Sequence, residues 1–162
     1  MIDPDYGAKE KLFVEEYSRK LREKRQKEAD MKKLEEQLFE ASGIDNKDVI
    51  RQLISIRIDP DTLAALSLVP LVEVAWADHR MDSNEKKAIL AAAEKHGIQV
   101  GTPGHDLLES WIEERPGSDL LAAWKEYASA LAGTLNVEIR IALKESILGH
   151  ARAVAEETGG IL

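Results

Sequence analysis

The sequence predicts an all-α fold of about seven helices, a helical bundle preceded by one long N-terminal helix. Three observations carry that reading. Apolar residues recur at three- and four-residue spacing in segment after segment. Sustained alternation of apolar and polar residues, the mark of a half-buried strand, is missing. Gly, Pro, Asn and Asp fall between the periodic segments, where helices start and stop.

The first segment, from about Gly7 to Ala41, is rich in Glu, Lys, Arg, Gln and Leu, all good helix formers, and holds no internal Gly or Pro. Leu12, Phe13, Tyr17 and Leu21 mark one apolar stripe, and Met31, Leu34, Leu38 and Ala41 another. The stretch between them is almost wholly polar, so a continuous coiled coil is not expected. The expectation is a helix that packs at both ends. Gly43 suits the left-handed cap that would end it.

A short helix is expected from about Asn46 to Ile56, with Val49, Ile50, Leu53 and Ile54 on one side. Asp59-Pro60-Asp61-Thr62 then reads as a turn and a helix start. The apolar stretch from Thr62 to about Asp78 reads as a helix that Pro70 kinks or splits. Ser83 to His96 follows, with Ile89, Leu90 and Ala93 inward and Gly97 closing it. Val100 to Gly104 reads as a loop. Leu107, Leu108, Trp111 and Ile112 mark a helix ending before Pro116-Gly117. Leu120, Leu121, Trp124, Ala128 and Leu131 mark the next, ended by Gly133. Asn136 can cap the last helix, which carries Val137, Ile141, Ile147, Leu148 and Val154. The division expected is an extension over 1–43 and a helical domain over 44–162.

Charge narrows the function classes. The 162 residues are 44% apolar and 32% charged, with net charge -8. A nucleic-acid binder or a membrane-surface helix usually shows a basic face, so neither partner is expected. Through Glu40 there are 10 basic and 11 acidic residues; the rest has 12 and 19, so the net negative charge lies almost wholly in the second part. Arg19 to Lys27 holds six basic residues, but glutamates interleave with and flank them, as on a solvated, salt-bridged face. The absence of cysteine excludes disulfides, thiolate metal sites and cysteine nucleophiles and fits a cytoplasmic protein. No uncharged apolar run of about 18 residues exists, so no membrane span is expected. No Gly-rich phosphate loop and no Ser-His-Asp cue stands out, so the expected protein is not an enzyme. Its expected partner is another protein, or a second copy of itself, met through the N-terminal helix.

One stretch stands apart: Leu71-Val72-Glu73-Val74-Ala75-Trp76-Ala77-Asp78-His79-Arg80-Met81-Asp82-Ser83-Asn84-Glu85, followed by Lys86-Lys87-Ala88-Ile89-Leu90. Asp78, Asp82 and Glu85 are spaced by four and three across a helix-turn-helix corner. If the chain folds back there, three carboxylates converge, and Ca2+, Mg2+ or Mn2+ would find oxygen ligands. His79 would add a nitrogen. The alternating acidic ligands and turn glycine of an EF-hand are missing. The alternative reading is structural: Asp82 and Glu85 form a capping box for the helix starting at Ser83, and Asp78 bonds turn amides. Both readings stay open at the level of sequence.

The same stretch resembles the core of the TerB-like (tellurite-resistance TerB) family. That pattern is an apolar helix ending in Ala-Asp-Gly, then an apolar residue, an acidic pair, Glu and a second helix. Ala77, Asp78, Met81, Asp82 and Glu85 match, and His79 replaces the usual Gly. The resemblance covers roughly residues 63–162. It implies a non-enzymatic binding or scaffolding module in a stress or tellurite-resistance-type response, with acidic residues that bind a divalent cation. Val154-Ala155-Glu156-Glu157-Thr158-Gly159 resembles the first motif as a trace of an internal repeat, and Glu156 and Glu157 are candidates for a second site. Thr158 stands where the Asp would be, so that site is either degenerate or completed by residues past Leu162.

Other residues have structural readings beside functional ones. Glu73 sits in an apolar run, with Arg80 as a candidate ion partner. His150 lies near Glu145 and the Glu156-Glu157 pair. His96 precedes Gly97 at a helix end, where positive charge is favoured. His105 opens a helix with no evident partner. Trp76, Trp111 and Trp124 read as core anchors.

Overall fold

The computed structural model describes residues 4–157, apart from the side chains of His150, Ala153, Val154 and Glu157. Seven α-helices and one 3-10 segment make up the described chain, with no strand among the described residues. In order they are α1 (Tyr6–Ser42), α2 (Lys47–Ser55), the 3-10 segment (Leu63–Leu68), α3 (Val69–Ala75), α4 (Ser83–Lys95), α5 (Pro103–Glu113), α6 (Ser118–Ala132) and α7 (Val137–Glu157). The all-α expectation holds. No described helix is long and apolar enough to cross a membrane.

Contacts divide the chain into two units, one ending at Glu36 and the other starting at Gln37. The first unit is α1 up to Glu36. Its side chains are nearly all exposed, and i,i+4 pairs such as Lys20–Glu16 at 3.5 Å and Arg19–Glu23 at 4.0 Å line its surface. Exposed pairs of this kind contribute little each, about 0.3–0.5 kcal/mol. Only one half of the expectation that α1 packs at both ends is met. Leu38 is fully buried in the second unit, whereas Leu12, Phe13, Val14 and Tyr17 face solvent.

In the second unit the core runs through Leu38, Ile44, Leu53, Ile58, Leu66, Leu68, Val69, Val72, Ile89 and Leu108. The 3-10 segment and α3 lie at its centre, and Pro70 explains their form. It stands in the first turn of α3, where its missing N–H costs nothing, and it divides the stretch as its ring requires. Ahead of it, Asp59 Oδ1 accepts from the amides of Asp61 (2.8 Å) and Thr62 (3.0 Å), and Thr62 Oγ1 accepts from the Asp59 amide at 2.9 Å.

The helix ends follow cap chemistry. Asn46 Oδ1 accepts from the Asp48 and Val49 amides, and Asn136 Oδ1 from the Ile139 amide. α4 ends in a Schellman pair: Gly97, at φ 78°, bonds back to Glu94 O while Ile98 bonds to Ala93 O. α2 ends in the same pattern, with Arg57 at φ 69° in the glycine position. α5 starts at Pro103, inside the stretch expected as loop, because Thr102 caps it through the His105 amide and Pro103 fits the first turn. α7 packs on α3 and α4, but its Val137, Ile139, Ile141 and Leu148 are exposed.

Candidate functional site: the acidic turn between α3 and α4

α3 stops at Ala75, three residues before Asp78, and the intervening turn carries the backbone round to α4. Trp76 anchors its start, donating its indole N–H to the Trp111 carbonyl at 2.8 Å and so tying the end of α3 to α5. Trp111 is buried, and Trp76 and Trp124 are half-buried against the core. His79 adopts φ 64°, a left-handed conformation where a Cβ is costly. The Arg115 guanidinium donates to His79 Nδ1, which occupies that nitrogen.

The three carboxylates have separate local roles. Asp82 is the N-cap of α4: its side chain accepts from the Glu85 amide at 2.8 Å, and Glu85 Oε2 accepts from the Asp82 amide at 2.9 Å. That is a complete capping box. Asp78 Oδ1 accepts from the Arg80 amide at 3.1 Å and is exposed. Glu85 is the unusual member, only 1% exposed. It stands on the same face as Ile89, Ala92 and Ala93, all buried. Burial pushes its carboxyl above the ordinary value of 4.5; the bond from the Asp82 amide opposes this, and the charges of Asp82 and Asp78 push it further up. The turn thus brings Asp82 and Glu85 into direct contact and keeps Asp78 near enough for its charge to be felt.

Asp78, Asp82 and Glu85 do not form a group of three with ligand atoms mutually within 4.8 Å; among the described residues that geometry belongs to His105, Asp106 and Glu109 on α5. His105 is 6% exposed, and its Nδ1 lies 3.5 Å from Glu109 Oε1, so the histidine read as partnerless has a partner one turn along. These three side chains can hold a metal ion. They also have a structural account: Asp106 lies in the first turn of α5, where an acid is favoured and a bound cation is not, and Glu109 lies one turn along from His105. The His-Asp-x-x-Glu spacing was the sequence signal for this group.

Glu73 is half-buried and lines a groove of mixed character, about 680 Å3 in volume, with Gln52, Arg115, Ser118, Lys125 and Glu126 among its polar side chains. Arg115 joins this groove to the acidic turn through His79. Glu156 is exposed near the end of α7. The remaining residues of the second motif, Thr158 and Gly159, and the side chains of Glu157 and His150, lie outside the described residues. Compared with protein-family models, with curated proteins and with solved structures, the chain matches none.

Proposed function

We propose that this chain is a non-enzymatic helical binding module that self-associates through α1. The observation that carries the reading is the apolar surface of that helix. Phe13 is 68% and Tyr17 57% exposed, and Tyr6, Leu12 and Val14 are exposed on the same helix. The Phe13 and Tyr17 rings stack at 6.4 Å, forming one aromatic face. Large contiguous apolar patches on a chain in water mark contact surfaces. Charge favours a second copy of α1 as the partner: the part through Glu40 is nearly balanced, at 10 basic and 11 acidic residues, whereas the rest carries 12 and 19. Two copies of α1 approach without the repulsion that two copies of the acidic domain would feel. Phe13→Glu with Tyr17→Glu should convert an associated species to monomer and leave the melting of the second unit unchanged. A wild-type chain that stays monomeric at high micromolar concentration contradicts the reading.

A second reading has its own observation, the crowding of carboxylate charge around buried Glu85. In this reading the chain is TerB-like and its acidic turn takes a divalent cation that relieves the repulsion among Asp78, Asp82 and Glu85, within a stress or tellurite-resistance-type response. The left-handed His79 at the family's glycine position supports it. Adding Ca2+, Mg2+ or Mn2+ should then shift the emission of Trp76 and raise the melting temperature. Asp78→Asn with Asp82→Asn should abolish both effects while preserving the cap, since Asn caps as well as Asp. An unchanged spectrum and melting curve with all three ions rules this reading out.

A further inference from the structure

A second groove, more apolar than the first, lies in the second unit between the 3-10 segment and the α6–α7 pair. It encloses about 560 Å3, within the range of cavities that hold small organic ligands. Leu71 forms its floor, and Leu63, Trp124, Leu131, Leu135 and Ile147 stand around it, half-buried with apolar surface still open to water. Its polar chemistry is one-sided. Arg140 and His96 line it and are exposed, while no Asp or Glu is among the described lining residues, in a chain that has 30 of them. An apolar groove with an arginine on it, and no carboxylate among its described lining residues, is complementary to an anion with an apolar body.

We propose that this groove binds a small amphipathic carboxylate, its apolar body against Leu63, Trp124 and Leu131 and its carboxylate at Arg140. The guanidinium offers the paired N–H geometry that fits a carboxylate. Tyr127 also lines the groove, and burial pushes its phenol above the ordinary value of 10.0. Its hydroxyl therefore stays protonated at neutral pH and available as a donor. The inference is independent of the proposed role of α1, because none of the lining residues lies before Ala41.

The test uses the full-length chain and three probes of equal chain length: decanoate, decanol and decyltrimethylammonium. Binding is read by calorimetry and by the emission of Trp124. Decanoate should bind more tightly than decanol, and the cation least. Arg140→Gln should weaken decanoate by roughly fivefold, as the loss of one solvent-exposed ion pair of about 1 kcal/mol implies, and leave decanol unchanged. Added salt should narrow the gap between decanoate and decanol. Ala128→Trp, which fills the groove from α6, should abolish binding of both; Ala132→Trp is the companion variant, and far-UV circular dichroism confirms that each is folded. Equal binding of the three probes, an Arg140→Gln variant that binds decanoate as wild type does, or no binding by any probe overturns the proposal.

Discussion

Glu85 is a buried carboxylate at the start of a helix, and its chemistry sets a pH dependence. Its folded-state value is raised above 4.5, so between 4.5 and that raised value the folded chain binds more protons than the unfolded one. Its contribution to stability is present at low pH and declines as pH rises through that window. Glu85→Gln keeps the capping box, because Gln accepts the Asp82 amide equally well, and it removes the buried charge. The variant should melt higher than wild type at pH 7 and lose the part of the pH dependence that lies just above 4.5. Asp82→Ala removes the other half of the box and should cost about 1 kcal/mol at any pH where Asp is ionised. Thermal melts from pH 4 to 8 check both; a Glu85→Gln variant with an unchanged profile would show that the buried charge has no energetic consequence. The box itself was legible in the sequence because it is a contact between residues three apart. The burial of Glu85 was not, because a glutamate in a first helical turn ordinarily faces water. The signal lay in register: position 85 shares a face with Ile89, Ala92 and Ala93. His105 was missed for a related reason, its partner Glu109 being one turn further on the same helix.

Among elements, the caps made most boundaries readable. Asn46, Gly43, Gly97 and Asn136 all act at the ends where their chemistry placed them. Pro70 divides its segment as expected, but the first half winds as a 3-10 segment, which depends on the packing around Leu66 and Leu68 and is not encoded in spacing. α2 ends at a place no glycine marks. Arg57 takes the left-handed position, so the local sequence and the turn are in conflict. That conformation costs a non-glycine residue about 1–2 kcal/mol, and glycine loses about 0.5–1 kcal/mol through its freer unfolded chain. Arg57→Gly should therefore stabilise the second unit by about 0.5–1 kcal/mol in denaturant melts. A loss of stability would mean that the Arg57 side chain makes a compensating contact.

At the scale of the molecule, the sequence leads to an expected extension over 1–43 and a helical domain over 44–162, while the contacts of the folded chain divide it between Glu36 and Gln37. What spacing could not show was which apolar residues find partners within the chain. Leu38 is buried, while Phe13 and Tyr17 are not, although all three lie on stripes of the same kind. Likewise α7 carries an apolar pattern, yet Val137, Ile141 and Leu148 stay exposed because α3 and α4 meet only part of its surface. The proposed function rests on the unpartnered apolar face of α1. Sedimentation equilibrium of the full chain, wild type beside Phe13→Glu/Tyr17→Glu, tests it most directly. The wild-type mass should rise with concentration above that of one chain, and the variant should stay at 18.0 kDa. A wild type at 18.0 kDa across the whole micromolar range, indistinguishable from the variant, would contradict it.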